Sequence, residues 1–290
     1  MGSDQFNATA TPGTTPVKPV AICADDFGVD PQVDAAIVEL AGLGRLNATS
    51  VLVDAGIDQA SVLTLRDLDI DVGLHLNLTD VLGDLTDRDV MPLKQLILRS
   101  HARLLPASWV RAAIERQFAR FEQQFGRCPD YVDGHLHVHQ LPVVRQQLLE
   151  VLDTKRLPVG FWVRDTRAGA LGGSTGAERF KSWVVGHLGM GHLARQATRH
   201  QLGRNRGFFG VYDFTGEHRP FMQMIQGWLG AAQPGALVMT HPATGALAND
   251  PIGQARVREY QALGSAAFGD LLQVNHIRLT RLSQTLSSLP

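Results

Sequence analysis

Apolar residues along this chain fall into short continuous runs, separated by stretches whose apolar positions recur every three to four residues. That alternation of buried strands with amphipathic helices predicts βα units and a parallel sheet. Val20-Ala21-Ile22-Cys23-Ala24 is uninterrupted and reads as a buried strand ending in Asp25-Asp26-Phe27-Gly28. A helix should follow, with Asp30 as its cap, Pro31 in its first turn, Val33, Ile37 and Leu40 on one face, and Gly44 past its end. Further strands are expected over Ala48–Val53 and Val72–Leu78. Ser108 is placed as the cap of the clearest helix, whose Val110, Ile114, Phe118, Phe121 and Phe125 share a face before Gly126. Tyr131 to His139 is the next expected strand, and Pro142 opens a helix carrying Val144, Leu148 and Val151. Phe161-Trp162-Val163, Phe208 to Tyr212 and Ala236 to Thr240 are the remaining strands. The stretch from Arg167 to Arg206, rich in glycine and arginine, is expected to be a helical excursion with loops and a candidate lid. The first sixteen residues, MGSDQFNATATPGTTP, have too little apolar surface to offset ordering entropy and are expected to form a flexible tail.

Composition narrows the class. With 27 basic and 28 acidic side chains, the chain lacks the basic excess that nucleic-acid binding by charge requires. No run of 18 apolar residues appears, so no integral membrane segment is expected, and no basic stretch precedes an apolar one at the N-terminus. Cys23 and Cys128 can form neither a disulfide framework nor a thiolate zinc site, and they fit small apolar positions in a reducing compartment. A cytoplasmic enzyme or binding protein is the expectation. The excess lies in histidine, with eleven in 290 residues.

Chemically useful residues recur at the expected C-terminal ends of strands, where side chains of an α/β sheet or barrel converge on one pocket. Asp25-Asp26 follows the first strand, and a bend there can aim both carboxylates into a cleft, although an isolated Asp-Asp also fits a helix-capping loop. In Val72-Gly73-Leu74-His75-Leu76-Asn77-Leu78, alternation places Gly73, His75 and Asn77 opposite an all-apolar face. A structural role for His75 stays open on this pattern alone. In Asp133-Gly134-His135-Leu136-His137-Val138-His139, period two puts three imidazoles on one strand face. Neighbours that close are most stable neutral, as metal ligands or partners of carboxylates. His241, before Pro242, should project from the last strand, and its bland alternative is a loop histidine. His101, His187, His192, His200, His218 and His276 suggest no role.

Taken together, Ala24-Asp25-Asp26-Phe27-Gly28, Gly73-Leu74-His75-Leu76, Asp133-Gly134-His135-Leu136-His137-Val138-His139 and Thr240-His241-Pro242 resemble the motifs of the YdjC-like carbohydrate deacetylases, in the same order. That family includes chitooligosaccharide and hopanoid-biosynthesis-associated deacetylases. The resemblance spans roughly residues 18 to 285. It implies a single irregular, TIM-barrel-like (β/α) barrel over residues 17–290 and one divalent metal ion: Mg²⁺, Zn²⁺, Co²⁺ or Ni²⁺. It makes Asp26, His75 and His135 the ligands, Asp25 the general base, His241 the general acid, and Arg164 and His137 substrate-binding residues. His139 is a second-choice third ligand. The chemistry is coherent, since amide hydrolysis needs an activated water, a stabilised oxyanion and an acid for the departing amine. The implied substrate is an N-acetylated amino sugar or a conjugate of one, and a homodimer is a further expectation. Leu136 replaces a polar residue common in the family, and the segment from Gly169 to Gly210 does not align with it, which leaves specificity open. Two other functions compete: metal-dependent phosphoester hydrolysis, and non-catalytic sugar or metal binding on the same barrel.

Overall fold

A computed structural model of the chain describes residues 16–169, 190–214 and 220–286. Its framework is one parallel sheet: β1 (Lys18–Phe27), β2 (Ala48–Val51), β3 (Asp71–Leu76), β4 (Tyr131–Gly134), β5 (Trp162–Val163), β6 (Gly203–Arg204), β7 (Phe208–Phe209), β8 (Ala236–Thr240) and β9 (Ile277–Leu279). The strands run in the order β6-β5-β4-β3-β2-β1-β8-β7, and β9 pairs with the start of β1. Helices α1 (Pro31–Gly42), α2 (Gln59–Asp67), α3 (Leu93–His101), α4 (Ala107–Phe125), α5 (Val144–Leu152), α6 (Met190–Arg199), α7 (Phe221–Ala231), α8 (Gly253–Gly264) and α9 (Ala266–Val274) connect them, and a short α10 (Leu282–Thr285) ends the described chain. The architecture is the expected irregular (β/α) barrel. It is open between β6 and β7, which share no ladder among the described residues.

The alternation of β1 shows how the layers arise. Val20, Ile22 and Ala24 join the apolar core that also holds Ile37, Leu40, Ile114, Phe118 and Phe121 of α1 and α4. Ala21 and Cys23 point the other way, into a second cluster with Tyr131, Trp162, Leu237 and Met239 that fills the sheet's concave side. The aromatic face predicted for α4 is buried as expected, and Gly126 ends the helix in the left-handed region. Its start differs, because the helix begins at Ala107 behind Pro106 with no side-chain cap, so Ser108 lies inside it.

Other boundaries also move. The second strand stops at Val51, and Val53–Ala55 form a 3-10 turn. Only Phe208 and Phe209 of the expected Phe208–Tyr212 strand pair with a neighbour. The Arg167–Arg206 excursion does carry a helix, α6, whereas residues 170–189 lie outside the described set, as do 1–15 of the expected tail. The largest correction concerns β4. It ends at Gly134, and His135–Gln140 coil into a 3-10 turn in which Leu136 and His137 have φ of 51° and 59°. The three histidines therefore do not share a strand face. Among the described residues, no helix is long and apolar enough to cross a membrane.

Candidate active site

The first strand delivers both of its carboxylates to the same place by two different means. Asp25 continues the inward alternation of Ala21 and Cys23. Asp26 would face outward, but its φ of 71° and the register break between Ala24 and Phe27 swing it inward too. Left-handed backbone is tolerated by aspartate better than by most residues, and such strain concentrates at functional sites.

Three chain segments then converge. Asp26 Oδ1 lies 3.4 Å from His75 Nε2 and 3.1 Å from His135 Nδ1, and one donor atom from each of the three residues falls within 4.8 Å of the others. His75 comes from the inward face of β3 and His135 from the turn after β4. The second nitrogen of each imidazole also meets a carboxylate: His75 Nδ1 lies 2.6 Å from Asp133, and His135 Nε2 lies 2.8 Å from Asp80. Burial disfavours the imidazolium forms, but the carboxylates outweigh it and push His75 up to about 10 and His135 up to about 9. Buried oxygen and imidazole donors converging from separate segments fit a divalent ion, whose charge would replace those protons.

Beneath the carboxylates sits Arg164, which is fully buried. Its guanidinium meets both oxygens of Asp25, at 2.5 and 2.6 Å, and Asp133 at 2.5 Å. Ser50 Oγ donates to Asp133 at 2.6 Å, and Cys23 Sγ lies 3.0 Å from the Tyr131 hydroxyl, enclosing the cluster. Burial would raise the Asp25 carboxyl, but Arg164 overcomes it and holds the group well below the usual carboxylate range. The expectation that Arg164 binds substrate is therefore corrected. With no exposed surface, it anchors the proposed base instead.

The site opens into a cavity of about 780 Å³ whose walls include Asp25, Asp26, His75, His135, His137 and His241. Leu93, Ile97, Leu136, Phe214 and Ile252 give it an apolar side. His137 is half-buried with its ring edge-on to Phe208, 5.6 Å away, and desolvation by its surroundings pushes it well below the ordinary imidazole range. His139 is absent from the cavity walls and its Nε2 donates to the Arg164 carbonyl at 3.1 Å, whereas the donor atoms that converge belong to Asp26, His75 and His135. His241 ends β8 edge-on to Phe214, and burial pushes its imidazole down to about 4.

Two of the site residues that escape the sequence reading lie on α8. Arg256 Nη2 meets Asp26 Oδ2 at 2.7 Å, and its Nε meets Asp250 at 2.6 Å. Glu259, pushed up to about 7 by burial, accepts the backbone N–H of His241 and, at 2.5 Å, the Tyr212 hydroxyl. Their spacing of three places both on one helix face, a signal visible in the sequence. Only the fold turns that face toward the strand ends.

A family model described as YdjC-like protein matches residues 19–274. The chain belongs to the YdjC-like family. This YdjC-like protein is 33% identical over 142 residues to the chitooligosaccharide deacetylase of Proteus mirabilis, covering 47% of this chain and 56% of that one. It is 31% identical over 153 residues to the carbohydrate deacetylase of Mus musculus, covering 46% of each. The chain thus spans about half the length of the curated relatives it matches. Among solved structures, a protein of Enterococcus faecalis V583 provisionally described as a cellobiose-phosphate cleavage protein superposes with a TM-score of 0.64 at 18% identity, over 93% of this chain and 100% of that one. A peptidoglycan N-acetylglucosamine deacetylase follows with a TM-score of 0.52 at 13% identity, over 93% of this chain and 89% of the other. Both likenesses concern the fold of this YdjC-like protein.

Proposed function

We propose that this protein is a divalent-metal-dependent hydrolase that removes the N-acetyl group from an amino sugar or its conjugate. The observation that carries the reading is the convergence of Asp26, His75 and His135 in one cavity that also holds Asp25 and His241. Family membership and the names of the deacetylase relatives support it.

Asp26, His75 and His135 would hold the ion, which when bound supplies Lewis acidity toward water and the acetyl carbonyl. Oxygen and imidazole donors suit Zn²⁺, Co²⁺ or Ni²⁺, and Mg²⁺ less well. Asp25 stays ionised through its pairing with Arg164, so it is free to accept a proton. Its low proton affinity restricts it to a strongly acidified donor. His241 is neutral at neutral pH. It would therefore take up a proton released in the reaction before handing it to the departing amine, and once protonated it is a stronger acid than an ordinary imidazolium. Glu259 fixes the His241 backbone, and Leu93, Ile97, Leu136, Phe214 and Ile252 give the cavity an apolar wall. A reducing, cytoplasmic setting fits the two free thiols.

Phosphoester hydrolysis through a second ion has less support. The other ligand-type group among the described residues, Cys23 with Asp25 and Asp133, already encloses the Arg164 cation. The decisive assay measures acetate release from N-acetylglucosamine oligosaccharides after chelation and repletion with each candidate ion. Turnover should depend on the ion, and Asp25→Asn should abolish it while sparing ion binding. No acetate with any ion, or full activity in Asp25→Asn, would overturn the reading.

A further inference from the structure

Asp80 belongs to none of the four sequence motifs, yet it is the carboxylate that meets the outer nitrogen of His135. Its loop is built to hold it there. Asn77 follows β3, and its backbone is clasped by Gln117 of α4, whose Oε1 accepts the Asn77 N–H at 2.9 Å and whose Nε2 donates to the Asn77 carbonyl at 2.7 Å. The Asn77 side chain in turn grips Asp80 at both backbone groups: Oδ1 accepts the Asp80 N–H at 3.0 Å, and Nδ2 donates to the Asp80 carbonyl at 2.7 Å. A buried amide pair thus fixes the backbone of a residue whose own side chain is 51% exposed. The carboxylate so placed lies 2.8 Å from His135 Nε2, while His135 Nδ1 faces Asp26.

We propose that Asp80 is a positioning residue that accepts the Nε2–H of His135 and so selects the tautomer presenting Nδ1 to the ion. The site then has a matched pair of supports. Asp133 fixes Nδ1 of His75 and leaves Nε2 for the ion, and Asp80 fixes Nε2 of His135 and leaves Nδ1. The two imidazoles, with ring centroids 5.5 Å apart and planes at 73°, offer opposite ring nitrogens to one point. A carboxylate behind a ligating imidazole locks its ring orientation and raises its basicity, and losing one typically costs 10–100-fold in metal affinity. Because Asp80 stands at the rim and its partner in the interior, this support is made by the loop after β3 and not by the strand itself.

The inference rests on the metal-site reading but is tested without substrate. Zn²⁺ affinity of the full chain is measured by calorimetry for wild type, Asp80→Ala and Asp80→Asn, with melting in chelator as the check on folding. Asparagine keeps an oxygen that can accept the Nε2–H, whereas alanine does not. Asp80→Ala should weaken binding by 10–100-fold, and Asp80→Asn should recover to within a few-fold of wild type. In ¹⁵N-histidine spectra of the Zn²⁺-loaded protein, His135 should carry its proton on Nε2. Unchanged affinity in Asp80→Ala, equal losses in both variants, or a proton on Nδ1 would overturn the proposal. Tight Zn²⁺ binding with the expected order but no acetate release would leave it standing and remove the deacetylase reading alone.

Discussion

At the scale of single residues, the pocket is organised by charge compensation. Arg164 pairs with two buried aspartates at once, and a lone buried charge is far more costly than a paired one. Arg164→Met should therefore destabilise the fold by about 3–5 kcal/mol in urea titrations, with Asp25 and Asp133 left facing each other. Truncation without charge provides the contrast: Ser50→Ala removes one neutral donor and should cost about 1 kcal/mol. His139 supplies a pH signature. Burial pushes it down to about 4 from an ordinary value of 6.5, so between those two values the unfolded chain binds its proton and the native protein does not. Its contribution is present above pH 6.5 and is lost as pH falls toward 4. His139→Gln can keep the donor to the Arg164 carbonyl but does not titrate. Its stability relative to wild type should therefore improve by about 3 kcal/mol between pH 7 and pH 4 in matched denaturant melts. A pH-independent difference would rule this out.

Among elements, what the pattern made legible depended on whether the local period was enforced by packing. The α4 stripe is buried along its whole length because Val110, Ile114, Phe118, Phe121 and Phe125 all meet the same core. The β3 alternation also holds, with Val72, Leu74 and Leu76 in that core and His75 on the other face. Gly73 shows why that inner face needs a residue without a side chain. A Cβ there would lie 2.3 Å from the Tyr131 ring, which is itself stacked on Trp162 at 3.9 Å. Gly73→Ala should cost about 1–3 kcal/mol by overpacking, measured as a shift in the denaturation midpoint. The His135–His139 stretch alternates just as cleanly in sequence and yet is a turn. Period-two patterning cannot register a left-handed φ at Leu136 or His137, and at Leu136 the surrounding fold imposes a conformation that leucine does not favour.

For the whole molecule, the β sheet brings to one end groups that the chain keeps far apart, and an ion held there ties those segments together. A ligand that binds only the native state at a hundred times its dissociation constant adds about 2.7 kcal/mol, roughly 4–5 °C in melting temperature for a chain of this size. Repletion with Zn²⁺, Co²⁺ or Ni²⁺ should raise the melting temperature by that order, and chelation should reverse it; His75→Ala should abolish the shift. The βα alternation, the parallel sheet and the strand ends that bear Asp25, Asp26, His75 and His241 are legible in the sequence, because burial of a strand or helix face is written into local hydrophobic period. Which nitrogen meets which carboxylate is set by the fold. Arg164 reaches Asp25 across 139 positions, Arg256 reaches Asp26 across 230, and Asp80 reaches His135 across 55. Electrostatic pairing acts through space over a few ångströms, so these partnerships have no period or spacing to mark them until the barrel has formed.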